Sequence, residues 1–459
     1  MGEAANRDTI SQREYLSLLL PFVLSTLTQP LLGAVDTAVM GRLPDPAYIA
    51  GVSVGAVIFN TLYWLLGFLR VATTGFSAQA QAASREKSGF ELAAAFVRPC
   101  LVALALGLVL VLLRGPLFAG AMLIFTLEAP VRAVTHAYFG VLIWGAPLVL
   151  VNYVILGWLM GQARMKAALA MQIGGNLVNA ALSILFVLGF GWGAEGVAAA
   201  TLIACGLSFA VGAAAVTRLF PALPGRDAWR DMIRPGAFAK ILGVNLDLML
   251  RTACLLVQTN VFTATSSGFG TVTLSANSIL IQILLIMAYV FEGLANASSV
   301  LAGRAAGRGN PAMLRSVWRR SAQWGAGAAA LLLLVYLPGG DTLIRLFTGI
   351  APVVEETLRY AHWAAFFPPV AVLGLAHYGI FTGASVTRPV FLSTLGALLL
   401  FLAAWRFAVP RCGNDGLWMA YLAFYLGRTV FLLPWYGFLL RSAAFRSRIP
   451  QRPGGAFSA

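Results

Sequence analysis

The second half of this chain repeats the first at a fixed distance. The Phe-Thr pair and the Ala-Pro-Val triplet of segment 125–131 return in segment 347–353, at an offset of 222 residues (347 minus 125). With no gap introduced, Gly157 falls on Gly379. Such a duplication indicates two structurally related halves, a plan typical of transporters. The halves differ in chemistry, because the same offset places Asp36 on Gln258.

The composition places the chain in a lipid bilayer. Charged residues make up 11% of the 459 positions and hydrophobic residues 59%, whereas about a quarter of a soluble protein is charged. A membrane-spanning helix needs roughly 20 predominantly apolar residues. The sequence predicts twelve such spans, at 15–40, 48–70, 92–113, 133–156, 167–189, 194–217, 239–262, 272–301, 316–337, 357–380, 389–409 and 416–440.

A proline-rich and charged segment at 219–238 divides the chain. It predicts an N-terminal lobe at 1–218, a cytoplasmic linker, a C-terminal lobe at 239–440 and a basic cytoplasmic tail at 441–459. Each lobe contains six spans, an even number, so both lobes enter the membrane in the same orientation. The predicted fold is therefore an all-α polytopic membrane protein with a parallel internal repeat.

The net charge of +15 follows from membrane topology. Lys and Arg concentrate in cytoplasmic loops of membrane proteins. Most of the 32 basic residues fall on one side of the predicted spans, the side that holds both termini. The sequence thus predicts cytoplasmic termini in the cell (inner) membrane, and no compact basic domain is left to bind nucleic acid.

The chain lacks the motifs of known enzyme classes. It has no G-x-x-x-x-G-K-[ST] loop and no H-E-x-x-H. Its four cysteines and three histidines show no metal-ligand spacing. The sequence therefore predicts that the protein is not an enzyme and that it has no cofactor or metal site. Uphill transport would then draw its energy from an ion gradient.

Asp36 is the strongest candidate for the ion-coupling residue. It lies well inside the first apolar span, where an ionisable side chain costs at least ~2.5–3.5 kcal/mol and marks function by default. Low polarity favours the neutral acid, so such a residue can take up and release a proton. Pro21 and Pro30 on the same helix remove backbone donors and permit a kink.

Four other charged residues within predicted spans are candidates for a functional role. Asp247 and Arg251 are one helical turn apart and can pair, either as a structural ion pair or as a gating pair. Arg70 is either a second charged site or a side chain that extends to the membrane surface. Glu292, flanked by aromatic residues in the eighth span, is a further candidate for a gating or second charged site.

At these positions the sequence resembles the multidrug and toxic compound extrusion (MATE) family, in particular the branch named after DNA-damage-inducible protein F. The resemblance covers nearly the whole chain. Six segments carry it, namely Pro-Leu-Leu-Gly-x-Val-Asp-Thr-Ala at 30–38, the glycine-rich stretch 51–56, Phe-Leu-Arg-x-x-Thr-Thr-Gly at 68–75, Leu-Gly-Trp-Leu-x-Gly at 156–161, Gly-Asn-x-x-Asn at 175–179 and Asn-x-Asp-x-Met-Leu-Arg at 245–251.

The resemblance implies a V-shaped twelve-helix antiporter that exports amphipathic or cationic organic compounds in exchange for H⁺ or Na⁺. Asp36 matches the essential first-helix acid of the family, and Asn179 and Thr201 match partners of that acid. Where the family often has an aspartate four residues after the fifth-span asparagine, this chain has Ser183. A single carboxylate makes a poorer Na⁺ site, which favours H⁺ as the coupling ion.

An alternative function in the same transporter superfamily is a flippase for lipid-linked precursors. That class would show about fourteen spans and a strongly cationic cavity, neither of which this sequence predicts. The expected partners are therefore small amphipathic drugs or toxicants and the lipid bilayer, with the protein acting as a monomer. Aromatic and methionine residues are too numerous to indicate which ones line a cavity.

Overall fold

A computed structural model describes most of the chain, and all its regular structure there is helical. The described residues are 9–67, 69–70, 73–74, 77, 85–162, 164–219, 246–307, 310–384 and 386–447. The helices are α1 (Gln12–Met40), α2 (Ala47–Leu65), α3 (Arg85–Leu112), α4 (Arg114–Ile124), α5 (Ala129–Leu142), α6 (Ala146–Gly161), α7 (Met165–Ile184), α8 (Gly193–Leu219), α9 (Leu246–Ser267), α10 (Thr271–Gly307), α11 (Pro311–Phe347), α12 (Ala351–Gly383), α13 (Arg388–Cys412), α14 (Asn414–Leu432) and α15 (Tyr436–Ser447).

The helices confirm a polytopic membrane protein. Ten stretches of the described chain are long and apolar enough to cross a membrane, with α5 and α6 counted as one stretch and α14 and α15 as another. Helices α1 and α9 have 29 and 22 residues. At ~1.5 Å per residue each can cross a hydrocarbon layer ~30 Å thick. With these two, the count agrees with the twelve spans predicted from the sequence.

Some boundaries differ from the prediction. Helix α11 runs over Pro311–Phe347, beyond the predicted span 316–337, because the helix continues past the apolar segment at both ends and passes through Pro338. Helix α4, of 11 residues, was not predicted and is too short to cross a membrane. The predicted linker 219–238 lies outside the described residues apart from Leu219, and the predicted tail 441–459 begins within α15, with 448–459 outside the described part.

Three turns within the described residues depart from α-helical geometry. Two of them lie beside prolines, and the third directly follows α7. A 3₁₀ turn at Ile143–Gly145 precedes Pro147, and another at Leu433–Trp435 contains Pro434. Proline cannot donate the backbone hydrogen bond of a regular helix, so the helix reforms after it. The third departure is a π turn at Leu185–Gly189, directly after α7. π turns occur frequently at functional sites.

The helices group into two compact units. One comprises residues 31–282 and 342–359, and the other comprises 1–30, 283–341 and 360–459. The boundary on α1 falls directly after Pro30, and α1 stays helical through both Pro21 and Pro30. The lobes at 1–218 and 239–440, and the role of the two prolines as hinges, stay predictions.

Within each unit, glycine allows two helices to approach closely. In the unit of residues 31–282, a side chain at Gly157 would overlap the backbone carbonyl of Arg70. In the unit that contains residues 360–459, a side chain at Gly379 would overlap the backbone carbonyl of Ala295. The two glycines are equivalent in the sequence repeat. The duplication therefore preserves a close contact with a preceding helix.

Candidate functional site

The predicted acid Asp36 lies on α1 and is half-buried. Its Oδ1 accepts a hydrogen bond of 2.8 Å from the hydroxyl of Ser183 on α7. Ser183 is completely buried, so this bond forms away from competing bulk water. A hydrogen bond to a charged group is worth about 1.5–3 kcal/mol, enough to fix the position of the carboxylate relative to α7.

Asn179 and Thr201 extend the network from Ser183. Asn179 precedes Ser183 by one helical turn on α7, and its Oδ1 lies 3.5 Å from the Ser183 hydroxyl. The Asn179 amide donates a bond of 2.8 Å to Thr201 Oγ1 on α8, and Thr201 Oγ1 donates to the carbonyl of Val197 at 3.0 Å. The structure therefore brings together the four residues proposed for ion coupling, from three helices.

The turn between α7 and α8 sets the spacing of these residues. The π turn at Leu185–Gly189 begins two residues after Ser183. Gly191 and Gly193 follow with φ angles of 72° and 57°, a left-handed conformation that glycine adopts at little cost. The chain reverses there and α8 packs along α7, which places Thr201 beside Asn179. The short, glycine-dependent reversal is thus a structural requirement of the site.

Tyr138 is a neighbour of the site that was not among the residues predicted for it. It is buried on α5, close enough to Asp36 for the carboxylate charge to act on its phenol. Its ring packs against Gly55, where any side chain would overlap it, and lies 6.3 Å from the ring of Phe59. The sequence signal for this position was its counterpart Tyr360 at the repeat offset of 222 residues.

The other charged candidates do not join this network. Asp247 and Arg251 are both half-buried and one turn apart on α9, and Arg70 is exposed. Glu292 lies on α10, in the other compact unit, where it accepts a hydrogen bond from the Tyr378 hydroxyl. The choice between a structural and a gating role for Asp247 and Arg251 stays open.

The side chains of the Asp36 network present oxygen atoms to a cation. Within the described residues, no group of three or more His, Cys, Asp or Glu side chains is placed to hold a metal ion. The oxygens that could accept a proton or a small cation beside the Asp36 carboxylate are the hydroxyl and amide oxygens of the network.

Comparisons with known proteins agree with the fold. A sequence model of the MatE family matches residues 21–185 and 248–404. The chain is 33% identical to DNA damage-inducible protein F of Escherichia coli (strain K12) over 421 residues, covering 91% of this chain and 90% of that protein. It is 26% identical to the probable multidrug resistance protein NorM of Rhizobium meliloti (strain 1021), covering 93% of each.

A solved structure described as the inward-facing conformation of a multidrug resistance MATE family transporter has the same fold. The two superpose with a TM-score of 0.80 over 96% of this chain and 100% of that one, at 16% sequence identity. The resemblance seen in the sequence is confirmed, including the branch named after DNA-damage-inducible protein F. The chain belongs to the MATE family of multidrug efflux transporters, which are membrane carriers and not enzymes.

Proposed function

We propose that this protein is a secondary antiporter that exports amphipathic, cationic organic compounds in exchange for H⁺, with Asp36 as the residue that takes up the proton. Membership of the MATE family supports an efflux function, and the names of relatives such as NorM refer to multidrug resistance. The proposal includes a monomer in the inner membrane with both termini cytoplasmic, as the distribution of Lys and Arg predicts.

The observation that carries the proposal is the hydrogen bond between Ser183 and Asp36. A hydroxyl can both donate and accept, so Ser183 can donate to the ionised carboxylate and accept from the protonated acid. An aspartate at the same position would add a second negative charge, which favours a metal cation or a shared proton. The network around Asp36 therefore suits a single proton better than Na⁺.

Protonation of Asp36 would also change the partner of Ser183. Once the acid becomes the donor, the Ser183 proton is free to turn toward Asn179 Oδ1, now 3.5 Å away. Asn179 in turn holds Thr201 on α8. Protonation of Asp36 on α1 thus changes the hydrogen bonds of the α7–α8 hairpin beside the π turn. We expect protonation to bias the conformation of the carrier through this change.

The test is transport by Asp36→Asn in inside-out membrane vesicles with an imposed pH gradient. Asparagine keeps the size and a hydrogen-bond acceptor but cannot bind a proton, so we expect gradient-driven uptake of an organic cation such as ethidium to be abolished at normal expression. Asp45→Asn is the matched control, because Asp45 is exposed and its carboxylate accepts a hydrogen bond of 2.8 Å from the Ala47 amide, a role that the side-chain oxygen of asparagine can also fill.

Three results would contradict the proposal. Wild-type uptake by Asp36→Asn would remove Asp36 from the mechanism. Uptake that depends on Na⁺ and ignores the pH gradient would exclude H⁺ as the coupling ion. Movement of a lipid-linked precursor, with no response to any organic cation, would favour the flippase alternative.

A further inference from the structure

A second group of polar and aromatic residues, buried or half-buried, lies in the compact unit that contains residues 283–341 and 360–459. The hydroxyl of Tyr378 on α12 donates a hydrogen bond to Oε1 of Glu292 on α10. The guanidinium of Arg428 on α14 lies 5.9 Å from the ring centre of Tyr378 and 5.7 Å from that of Tyr425. Three helices thus contribute one acid, one base and two phenols.

The carboxylate of Glu292 is only partly satisfied by the protein. Within the described residues, Tyr378 is its one hydrogen-bond partner and no ion pair includes it. Its side chain keeps intermediate exposure, although Phe291 and Gly293 on either side are buried. A carboxylate facing lipid hydrocarbon would be strongly unfavourable, so charged residues at this depth face the protein interior or a water-filled path. The open side of Glu292 therefore faces a route that a ligand can enter.

The Arg428 end of this cluster is buried. Arg428 is 5% exposed, and both of its aromatic neighbours are within the ~6 Å range of a favourable cation–π contact. The ring of Tyr425 is fixed in turn by an edge-to-face contact with Phe367 at 4.8 Å. Arg428 therefore holds the ring of Tyr378 from behind, and the Tyr378 hydroxyl holds one oxygen of Glu292. The second oxygen stays available.

We propose that Glu292 and Tyr378 form a binding subsite for the positively charged group of an organic cation, with Arg428 as the residue that positions Tyr378. The carboxylate would attract the cationic centre, and the phenol beside it offers an aromatic surface for the apolar substituents around that centre. A hard inorganic cation would find one free carboxylate oxygen here, whereas a bulky organic cation needs only one counter-charge and apolar contact. The subsite rests on the proposed export of organic cations and adds a location for the substrate.

The experiment measures binding of tetraphenylphosphonium to the purified full-length protein in detergent, in parallel with the uncharged triphenylphosphine oxide. We expect Glu292→Gln to weaken binding of the cation by about tenfold or more and to leave binding of the neutral compound unchanged. Glu292→Asp keeps the charge and should recover part of the affinity. Tyr378→Phe should weaken cation binding several-fold, because the Glu292 carboxylate loses the hydrogen bond that positions it while the aromatic ring remains.

Glu195→Gln is the matched control, since Glu195 is exposed in the first turn of α8 and should not change either affinity. If Glu292→Gln proves unstable by thermal melting, Tyr378→Phe and Glu292→Asp decide the question through the difference between the charged and neutral compounds. Equal loss for both compounds would mean that the cluster is structural, and Na⁺ competition at millimolar levels would mean an inorganic cation site. Either result overturns the inference.

The failure of the subsite can be separated from the failure of the proposed function. If the wild-type protein neither binds nor exports organic cations, the proposed function is wrong. If the wild type does both and Glu292→Gln binds the cation equally well, only the subsite is wrong.

Discussion

Ser183 is the residue that most distinguishes this transporter's site. It is buried, it donates to Asp36 at 2.8 Å, and its distance to Asn179 Oδ1 is 3.5 Å. Because one hydroxyl proton cannot serve both acceptors fully, the shorter contact to the carboxylate dominates. The nature of position 183 should therefore control which ion the site prefers, while Asp36 supplies the charge.

A change of coupling ion follows from this. Ser183→Asp would place a second carboxylate beside Asp36, and two negative charges that close favour a bound cation between them. We expect transport by this variant to be stimulated by Na⁺, measured as ethidium efflux from cells with and without a Na⁺ gradient. Ser183→Ala, which loses a hydrogen bond worth about 1.5–3 kcal/mol, should transport more slowly and show no response to Na⁺. A Ser183→Asp variant indifferent to Na⁺ would contradict this view of the site.

The helical elements depend on glycine where the repeat brings helices together. Gly157 and Gly379 each leave no room for a methyl group beside the backbone of a preceding helix. By contrast, Gly327 on α11 has no atom within 4 Å of the position a side chain would take. The equivalent glycines of the two halves thus carry a packing role that Gly327 lacks.

Gly379→Ala is therefore expected to destabilise the protein. An added methyl group in a packed contact typically costs about 1–3 kcal/mol, so the midpoint of thermal unfolding in detergent should fall by several degrees. Gly157→Ala should behave alike. Gly327→Ala should be neutral or slightly stabilising, because alanine is favoured over glycine in a helix by about 1 kcal/mol. Equal stability of all three variants would show that the close contacts can relax without cost.

At the scale of the whole molecule, the inter-span connections reveal the topology. In the unit of residues 31–282 and 342–359, Thr271 binds the Glu128 carboxylate through its hydroxyl at 2.6 Å and its amide at 3.2 Å. The Thr348 hydroxyl donates to the carbonyl of Gly41 at 2.9 Å. In the predicted span order, Glu128 follows the third span and Thr271 the seventh. Gly41 follows the first span and Thr348 the ninth. An even number of crossings separates each pair, so each pair lies on one side of the membrane, as twelve spans require.

If transport requires this side of the protein to open, linking Glu128 to Thr271 should stop it. We expect a Glu128→Cys and Thr271→Cys double variant, with the native cysteines replaced by alanine, to lose ethidium export when a short cleavable bis-thiol reagent joins the two positions. Cleavage of the reagent should restore export. The single-cysteine variants treated alike serve as controls. Undiminished export by the fully linked protein would mean that these connections stay together throughout the cycle.

Much of the fold follows from local sequence alone. Apolar segments of some twenty residues must satisfy their backbone hydrogen bonds internally in a bilayer, so they form helices wherever they occur. An ionisable side chain inside the membrane is also costly, so an acid such as Asp36 within a span indicates function without any knowledge of its neighbours. Asn179, Ser183 and Thr201 could be assigned only through the family resemblance, because single polar residues within spans are common and usually join helices.

What the sequence by itself determined is therefore the helical membrane fold, the duplication and the presence of an intramembrane acid. Only the tertiary structure decided which groups meet. Tyr138 near Asp36, Tyr378 on Glu292 and Arg428 behind Tyr378 are separated by tens to more than a hundred residues in the chain. Their contacts depend on how the helices pack and rotate. Hydropathy is a property of each segment alone, whereas a hydrogen bond between helices depends on the relative position of two segments, which no local pattern encodes.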